Sequence, residues 1–459
     1  MDSNEKKIFS SLEIKRPQNI YYFNSDCEVE IEFPSYETTA SRSVMENMGD
    51  FELVPLFLSK RGDIIVCRSK PDVSFLRHLS KVGFDIPEFM EIHNIEFLAK
   101  KHEYFENYNF VPWGWTPNLI LLNEKRLNGR DRAETPRLQA QNHLRNLYSK
   151  TEILGIRNRF RNSCVPDENL LGPQMADGIV TSNFRVLSEQ ISLFREKMEK
   201  PTVIKNRFGA AGRGLMLISD SAKLTNIQAD WIKSSLERNG EVLAEPWLPK
   251  VIDLSAQILV KQGEKTELLG ITRFLTDRLG RYVGHVLGKP FSPIIQDESA
   301  SIRILSDIKM PIVNSIRKAS ALVSEMLIKR GYSGYAGIDF IIYSGKSAAS
   351  PKNSFFLSIS EINPRMTMGT LALSLQKKID GSETALWLTI DRERLGKLGF
   401  RRFSSMPEDL LLRFPVVKNR DNLIKSGIFF TNPPEKAKHT LGVVAVGEKA
   451  SSFLLRSIS

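Results

Sequence analysis

Apolar positions along the chain follow two periods. Alternation, or a run of roughly four to eight apolar residues, marks strands; recurrence every three or four residues marks helices. Short elements of both kinds succeed one another up to about residue 130. Positions 51–58 and 63–67 read as strands joined by the turn Lys60-Arg61-Gly62. Pro71 and Asp72 open a helix with Phe75, Leu76, Leu79 and Val82 on one face, and Gly83 ends it. Trp113 and Trp115 sit in a stiff loop bounded by Pro112 and Pro117. That loop serves either as a packing plug, the reading preferred, or as a substrate wall.

The polar run 123–136 reads as a connection. A helix is expected over 136–147, with Lys150 just beyond, and another over 183–198 with Phe184, Leu187, Ile191 and Phe194 on one side. Strands over 202–205 and 215–218 enclose a glycine-rich turn, and 230–238 is helical. Strands follow over 241–245, 253–260 and 267–274, the last two alternating as antiparallel strands do. A long helix within 304–330 carries Ile312, Ile316, Ala319, Val323, Met326 and Leu327 on its apolar side, and Gly331 stops it. Apolar strands around Asp339 and over 355–359 are separated by 344–354, a stretch poor in apolar residues and read as a loose turn. An apolar helix over 370–375 and a strand over 441–446 come last, and no internal repeat is seen.

Length and composition set bounds. At 459 residues the chain exceeds one simple core, so two or three domains are expected. No apolar run approaches the roughly 20 residues that span a bilayer. The start of the chain, Met1 to Lys7, is polar, and a cytoplasmic location is expected. Cys27, Cys67 and Cys164 form no metal or disulfide pattern, and the six histidines lack ligand spacing. With 64 Lys and Arg against 53 Asp and Glu, the net charge is +11, which favours anionic partners. Basic clusters at 125–137, 157–161 and 397–402 read as solvated faces, and no aromatic-plus-basic nucleic-acid module is present.

The chemistry concentrates in Glu361-Ile362-Asn363-Pro364-Arg365. Residues two apart on an extended chain point to one side. Glu361 and Asn363 therefore present a carboxylate and an amide oxygen together, a donor pair suited to magnesium. Asp339, on its own apolar strand, makes a carboxylate pair with Glu361 if the strands are neighbours. Arg365 brings a guanidinium fork to the same place. The plainer reading is a polar-capped strand end, with Asp339 an ordinary turn residue.

Three more features suit a nucleotide. Lys205 stands at the foot of the hairpin Gly209-Ala210-Ala211-Gly212-Arg213-Gly214, whose amides can approach phosphates because no Cβ intervenes. Because a strand rather than a helix follows, the turn fits neither the Walker nor the dinucleotide fingerprint. It is a phosphate-covering loop or a flexible surface hairpin. Glu245, Trp247 and Leu248 end an apolar strand and offer a seat for adenine, although Glu245 is also placed for a salt bridge. Asp253 can accept ribose hydroxyls. Arg273 is a candidate for a substrate carboxylate, or a member of an ordinary ion pair.

Taken in order, these pieces resemble the ATP-grasp superfamily over about residues 140–380. Lys205 and the 209–214 hairpin look like its phosphate lysine and mobile loop. Glu245-Pro246-Trp247-Leu248 is similar to its adenine linker, and Asp253 to its ribose acid. Asp339, Glu361 and Asn363 match its magnesium ligands. Arg365 in Asn-Pro-Arg form resembles the arginine of the biotin-carboxylase and carbamoyl-phosphate-synthetase branches, and Lys150 resembles the first nucleotide lysine. Asn206 replaces the common proline, Asp253 stands where glutamate is usual, and the 339–361 interval is long.

The resemblance implies an α/β (α+β) fold in which two subdomains grip ATP behind a Rossmann-like pre-ATP-grasp domain. The expected divisions are 1–130 for that first domain, 131–245 for the subdomain with the hairpin, 246–380 for the subdomain with the metal site, and 381–459 for a segment completing or covering the fold. It implies an ADP-forming ligase that activates a carboxylate as an acyl phosphate and joins it to an amine or thiol. ATP with one or two Mg2+, or Mn2+, would be its cofactors. Small carboxylates and amines are the expected partners, without nucleic acid or membrane, and a homodimer is compatible. The rivals are a kinase-like phosphotransferase on the same fold and a non-catalytic nucleotide-binding regulator.

Overall fold

The structure, a computed structural model, describes residues 18–33, 49–91, 95–100, 105, 107–127, 141–163, 170–209, 214–219, 224–294, 305, 307–347 and 350–458. Three sheets organise the chain. The first comprises β1 (Asn19–Tyr22), β2 (Ile64–Cys67), β3 (Glu88–Glu91) and β4 (Asn109–Pro112), all parallel in the order β3-β2-β1-β4. Ile64, Ile65, Val66 and Cys67 are all buried, as a strand covered on both faces requires. The second sheet is antiparallel, ordered β5-β8-β6-β7, with β5 Ile179–Thr181, β6 Thr202–Asn206, β7 Leu215–Ile218 and β8 Val242–Pro246. Leu187, Ile191 and Phe194 of helix Phe184–Met198 close a small core on it.

The third sheet has nine antiparallel strands in the order β13-β12-β9-β10-β11-β14-β17-β16-β15. Its first five strands are β9 (Lys250–Val260), β10 (Glu267–Thr276), β11 (Tyr282–Leu287), β12 (Gly334–Ser347) and β13 (Ser350–Asn363). The C-terminal segment adds β14 (Ala385–Ile390), β15 (Val417–Lys418), β16 (Ile424–Phe430) and β17 (Leu441–Val446) beyond β11. Helix Lys309–Lys329 buries Ile312, Ile316, Ala319 and Val323 in a core shared with β9 and β12. The mixed α/β class expected from the sequence is the class the chain adopts, a parallel sheet followed by antiparallel ones.

Two element expectations are corrected. Positions 51–58 form no strand: a helix end at Phe51 leads into the 3-10 turn Val54–Phe57. Pro55 has no N–H for a ladder, and all four turn residues are buried by tertiary contacts instead. The stretch 344–354 is not a loose turn. β12 continues to Ser347 and β13 starts at Ser350, and those two residues pair, while 348–349 lie outside the described residues. β13 is the edge strand, where polar side chains are tolerated. The Trp113–Trp115 loop packs, with both rings largely buried and Trp113 meeting Phe23 edge-on at 4.8 Å between centroids, and Trp113 also lines a cleft, so both readings of the loop apply. Most of the 123–136 connection, together with Cys164, lies outside the described residues. Among the described residues no helix is long and apolar enough to cross a membrane.

Candidate active site

A cleft of about 1020 Å³ opens between the three sheets. Its floor is the cavity-side face of the nine-stranded sheet. The register of β12 and β13 sets Asp339 directly opposite Glu361 and Gly337 opposite Asn363. Asp339 also pairs across to Ser255 on β9, whose hydroxyl donates to Asp339 Oδ1 at 2.6 Å. Asn363 Nδ2 donates to Asp339 Oδ2 at 3.0 Å. The structure thus brings Asp339, Glu361 and Asn363 together from positions far apart in sequence.

The two acids differ in state. Burial, then the facing Glu361 carboxylate, pushes Asp339 up to about 7. Burial would also raise Glu361, but Lys150 and then Lys205 outweigh it and hold that carboxyl below its usual range. Lys150 Nζ lies 3.1 Å from Glu361 Oε1, in a turn anchored where Lys150 N–H donates to the Arg207 carbonyl at 2.8 Å. Two carboxylates facing across one strand pair, one of them resisting ionisation, are a donor set that a hard divalent cation satisfies. The amide of Asn363 is turned the other way, its Oδ1 accepting from Arg365 Nη2 at 3.1 Å, so it joins a cation only by rotating. Among the described residues no three His, Cys, Asp or Glu side chains gather in ligand geometry.

Arg365, two residues past the end of β13, lines the cleft and is locked by a distant part of the chain. Glu28, on helix Cys27–Glu32 behind β1, accepts from Arg365 Nε at 2.7 Å, and both side chains are largely buried. Burial disfavours the guanidinium charge, but Glu28 overcomes it and raises the pKa. Nothing in the sequence spacing links Glu28 to Arg365, which are 337 positions apart.

Lys205 on β6, opposite Leu243, and Glu245 on β8, opposite Val203, are diagonal neighbours whose side chains meet, Lys205 Nζ to Glu245 Oε2 at 2.5 Å. The other Glu245 oxygen meets Arg157 at 2.5 Å. Arg157 also donates to the carbonyls of Ile359 at 2.7 Å and Asp177 at 2.6 Å. The expectation of a solvated face at 157–161 therefore fails for two of its three arginines: Arg157 is buried and Arg161 pairs with Asp177 at 2.8 Å, while Arg159 is exposed. Burial opposes ionisation of Glu245, and Arg157 then Lys205 more than compensate, keeping it below the usual carboxylate range.

Trp247 and Leu248 line the cleft beside Glu245. The Trp247 N–H donates to the Pro201 carbonyl at 2.6 Å, so that amide is not available to a purine. Asp253 lines the cleft too, paired with Lys250 at 2.6 Å and accepting from Thr276 at 3.1 Å. Gly209 and Gly214 flank the hairpin tip with φ of 133° and 76°. Ala210, Ala211, Gly212 and Arg213 lie outside the described residues. Arg273 is placed elsewhere. It pairs with Leu254, whose side chain is in the opposite core, while its neighbour Phe274 pairs with Asp253 on the cleft face. Alternation along β10 turns Arg273 away from the cleft, and its Nη1 donates to the Ser292 carbonyl at 3.2 Å.

No family model matches the chain, and no curated protein sequence does. Solved structures do resemble it. N5-carboxyaminoimidazole synthetase from Staphylococcus aureus, complexed with ADP, is 10% identical with a TM-score of 0.46 over 95% of this chain and 94% of that one. The biotin carboxylase domain of Hydrogenobacter thermophilus 2-oxoglutarate carboxylase, with MgADP and bicarbonate, is 12% identical with a TM-score of 0.45, covering 84% and 81%. A biotin carboxylase complex from Campylobacter jejuni is 10% identical with a TM-score of 0.44, covering 94% and 87%. Likeness at this level is silent on substrate, and function has to come from the cleft's own residues.

Proposed function

We propose that the chain is an ATP-dependent, ADP-forming ligase of the ATP-grasp kind, which activates a carboxylate and joins it to an amine or thiol. The observation that carries this reading is the direct opposition of Asp339 and Glu361 inside a cleft that Lys150, Lys205 and Arg365 also line. Phosphoryl transfer brings anions together, and its catalysis is mostly positioning and charge neutralisation. A magnesium or manganese ion held by Asp339 and Glu361, with Asn363 rotated to join, would neutralise phosphate oxygens there. Lys205 meets the phosphate tail and hands its charge over from Glu245, which keeps Arg157 as partner. Glu245, Trp247 and Leu248 seat the adenine, Asp253 takes ribose hydroxyls, and the 209–214 hairpin covers the phosphates.

The substrate carboxylate attacks the γ-phosphorus, and ADP leaves. The amine then attacks the acyl carbon, phosphate leaves, and the amine proton is released to solvent. Arg365, held by Glu28, would donate to oxyanion charge on the acyl group; losing one such donor typically costs about 10²–10³ in rate.

The test is ADP release with magnesium, screened over pairs of amino acids and small carboxylates. Glu361→Gln should lower it by more than the roughly 10–100-fold that changes around a metal's ligands cost, while the variant still melts cooperatively. Full turnover by this variant overturns the assignment. Phosphate release that requires the amine separates a ligase from a phosphotransferase.

A further inference from the structure

The cleft extends well past the reacting groups. Strand register gives its direction. Ile341 on β12 pairs with Asp253, Asp253 with Phe274, Phe274 with His285, and His285 with Trp387 on β14. Four strand steps of about 4.8 Å make roughly 19 Å along the sheet. Lys205, Trp247 and Lys250 line one end; Thr389, Asp391, Arg394 and Thr440 of the C-terminal segment line the same cleft at the other.

The far arm has its own chemistry. Phe23, Phe51, Trp113 and Met368 give it an apolar wall. Phe51 is fixed because the adjacent Asp50 carboxylate accepts the N–H groups of Lys438, His439 and Thr440 at 2.9, 2.7 and 2.8 Å. His285, buried on the floor, takes Tyr282 on Nδ1 at 2.6 Å, and among the described residues its Nε2 has no partner. Arg394 stands at the end of the arm. Only its Nη1 is engaged, by Asp391 Oδ2 at 2.8 Å and the Thr389 carbonyl at 3.4 Å. Among the described residues Nε and Nη2 have no acceptor. Asp391 spends its other oxygen on the Arg394 N–H at 2.9 Å, so its charge is used in holding the fork.

We propose that the far arm binds an elongated substrate through a distal carboxylate on Arg394, with an apolar middle along Phe51 and Trp113 and the reacting group at Asp339 and Arg365. This rests on the ligase reading above and adds the substrate class to it. The molecule spans the length of about four to six extended residues. Two sources share that chemistry: a peptide acceptor, reacting at its amine and held by its C-terminal carboxylate, and a long dicarboxylic donor. A free single amino acid is too short to reach both ends.

Calorimetric titration of the full chain tests this, with magnesium and a non-hydrolysable ATP analogue and again without nucleotide. The peptide arm compares alanyl-phenylalanyl-trialanine, its C-terminal amide, and phenylalanine. The dicarboxylate arm compares dodecanedioate, its monomethyl ester, and succinate. In one arm the long free acid should bind at least about tenfold more tightly than the capped and short compounds, the scale of a hydrogen bond to a charged group. Arg394→Gln should reduce it to the level of the capped compound, Arg394→Lys should retain the preference, and nucleotide affinity should not change in either. Equal binding of free and capped acids in both arms, equal binding of the short compounds, or a preference that survives Arg394→Gln overturns the proposal. Absence of nucleotide binding would sink the ATP reading instead, since the acid comparison is read without nucleotide as well.

Discussion

At the scale of single residues, Asp339 makes the sharpest statement about the site. Its folded-state pKa stands near 7 against an unfolded value of 3.8. Between those values the folded chain holds a proton that the unfolded chain has released, so this group's contribution to stability falls as pH rises through the window. Above 7 the full penalty of two facing carboxylates is present. A divalent cation between them removes that penalty. Magnesium should therefore raise the melting temperature more above pH 7 than below pH 6, whereas without it the Asp339→Asn variant should be the more stable on the alkaline side. Thermal melts with and without magnesium read both effects, and a magnesium shift independent of pH counts against the pair as ligands. Legibility at this scale followed distance along the chain. Glu361 and Asn363 declare themselves by their spacing on β13, and Arg365 by following them two residues on. Glu28 and Arg157 do not, because each acts through a partner brought close only by folding: 337 positions separate Glu28 from Arg365, and 88 separate Arg157 from Glu245.

At the scale of elements, the cleft depends on how the hairpin sheet is fastened to the large one. Helix Ile153–Ser163 is the fastener, through Arg157, which touches Glu245 on β8, the carbonyl of Ile359 on β13, and the carbonyl of Asp177 just before β5. Arg157→Met should cost up to roughly 3–5 kcal/mol, the range for breaking a buried ion pair, with Lys205 holding the loss toward the lower end. Denaturant unfolding measures it, and weaker nucleotide binding should accompany it because Lys205 is then tied more firmly to Glu245. A change below about 0.5 kcal/mol would class Arg157 with ordinary surface residues. Elements with strong periodicity were legible: helices Val73–Val82 and Phe184–Met198 run where apolar spacing puts them, closed by Gly83 in a left-handed conformation and opened by the Asn183 cap. The misread elements are those where tertiary position overrides composition, an apolar run interrupted by Pro55 and a polar hairpin on a sheet edge.

At the scale of the whole molecule, the two ends of the chain build one core. Phe57, Leu79 and Phe84 from the first segment pack in the same cluster as Trp387, Phe429 and Val444 from the last. Phe84 stands 4.9 Å from Phe57 and 5.5 Å from Phe429, centroid to centroid. Asp50 adds a polar tie by accepting three amides of the 438–440 loop. β14 pairs directly with β11, so removing everything after residue 380 would expose the open edge of β11 as well as half of that core. Fully burying one large apolar side chain contributes about 1.5–3 kcal/mol, whereas a whole fold is stable by only about 5–15 kcal/mol. Losing Trp387, Phe429, Phe430, Val443 and Val444 together forfeits about 7.5–15 kcal/mol, as much as the whole margin. A chain ended at residue 380 should therefore lack a cooperative melt and elute as aggregate on size exclusion, even though Asp339, Glu361 and Arg365 are all retained. Its first segment should not survive alone either, because Phe57 and Phe84 would be left against water. A truncated chain that melts cooperatively and still binds nucleotide would mean that the C-terminal strands only cover the fold, and that the far wall of the cleft is dispensable to it.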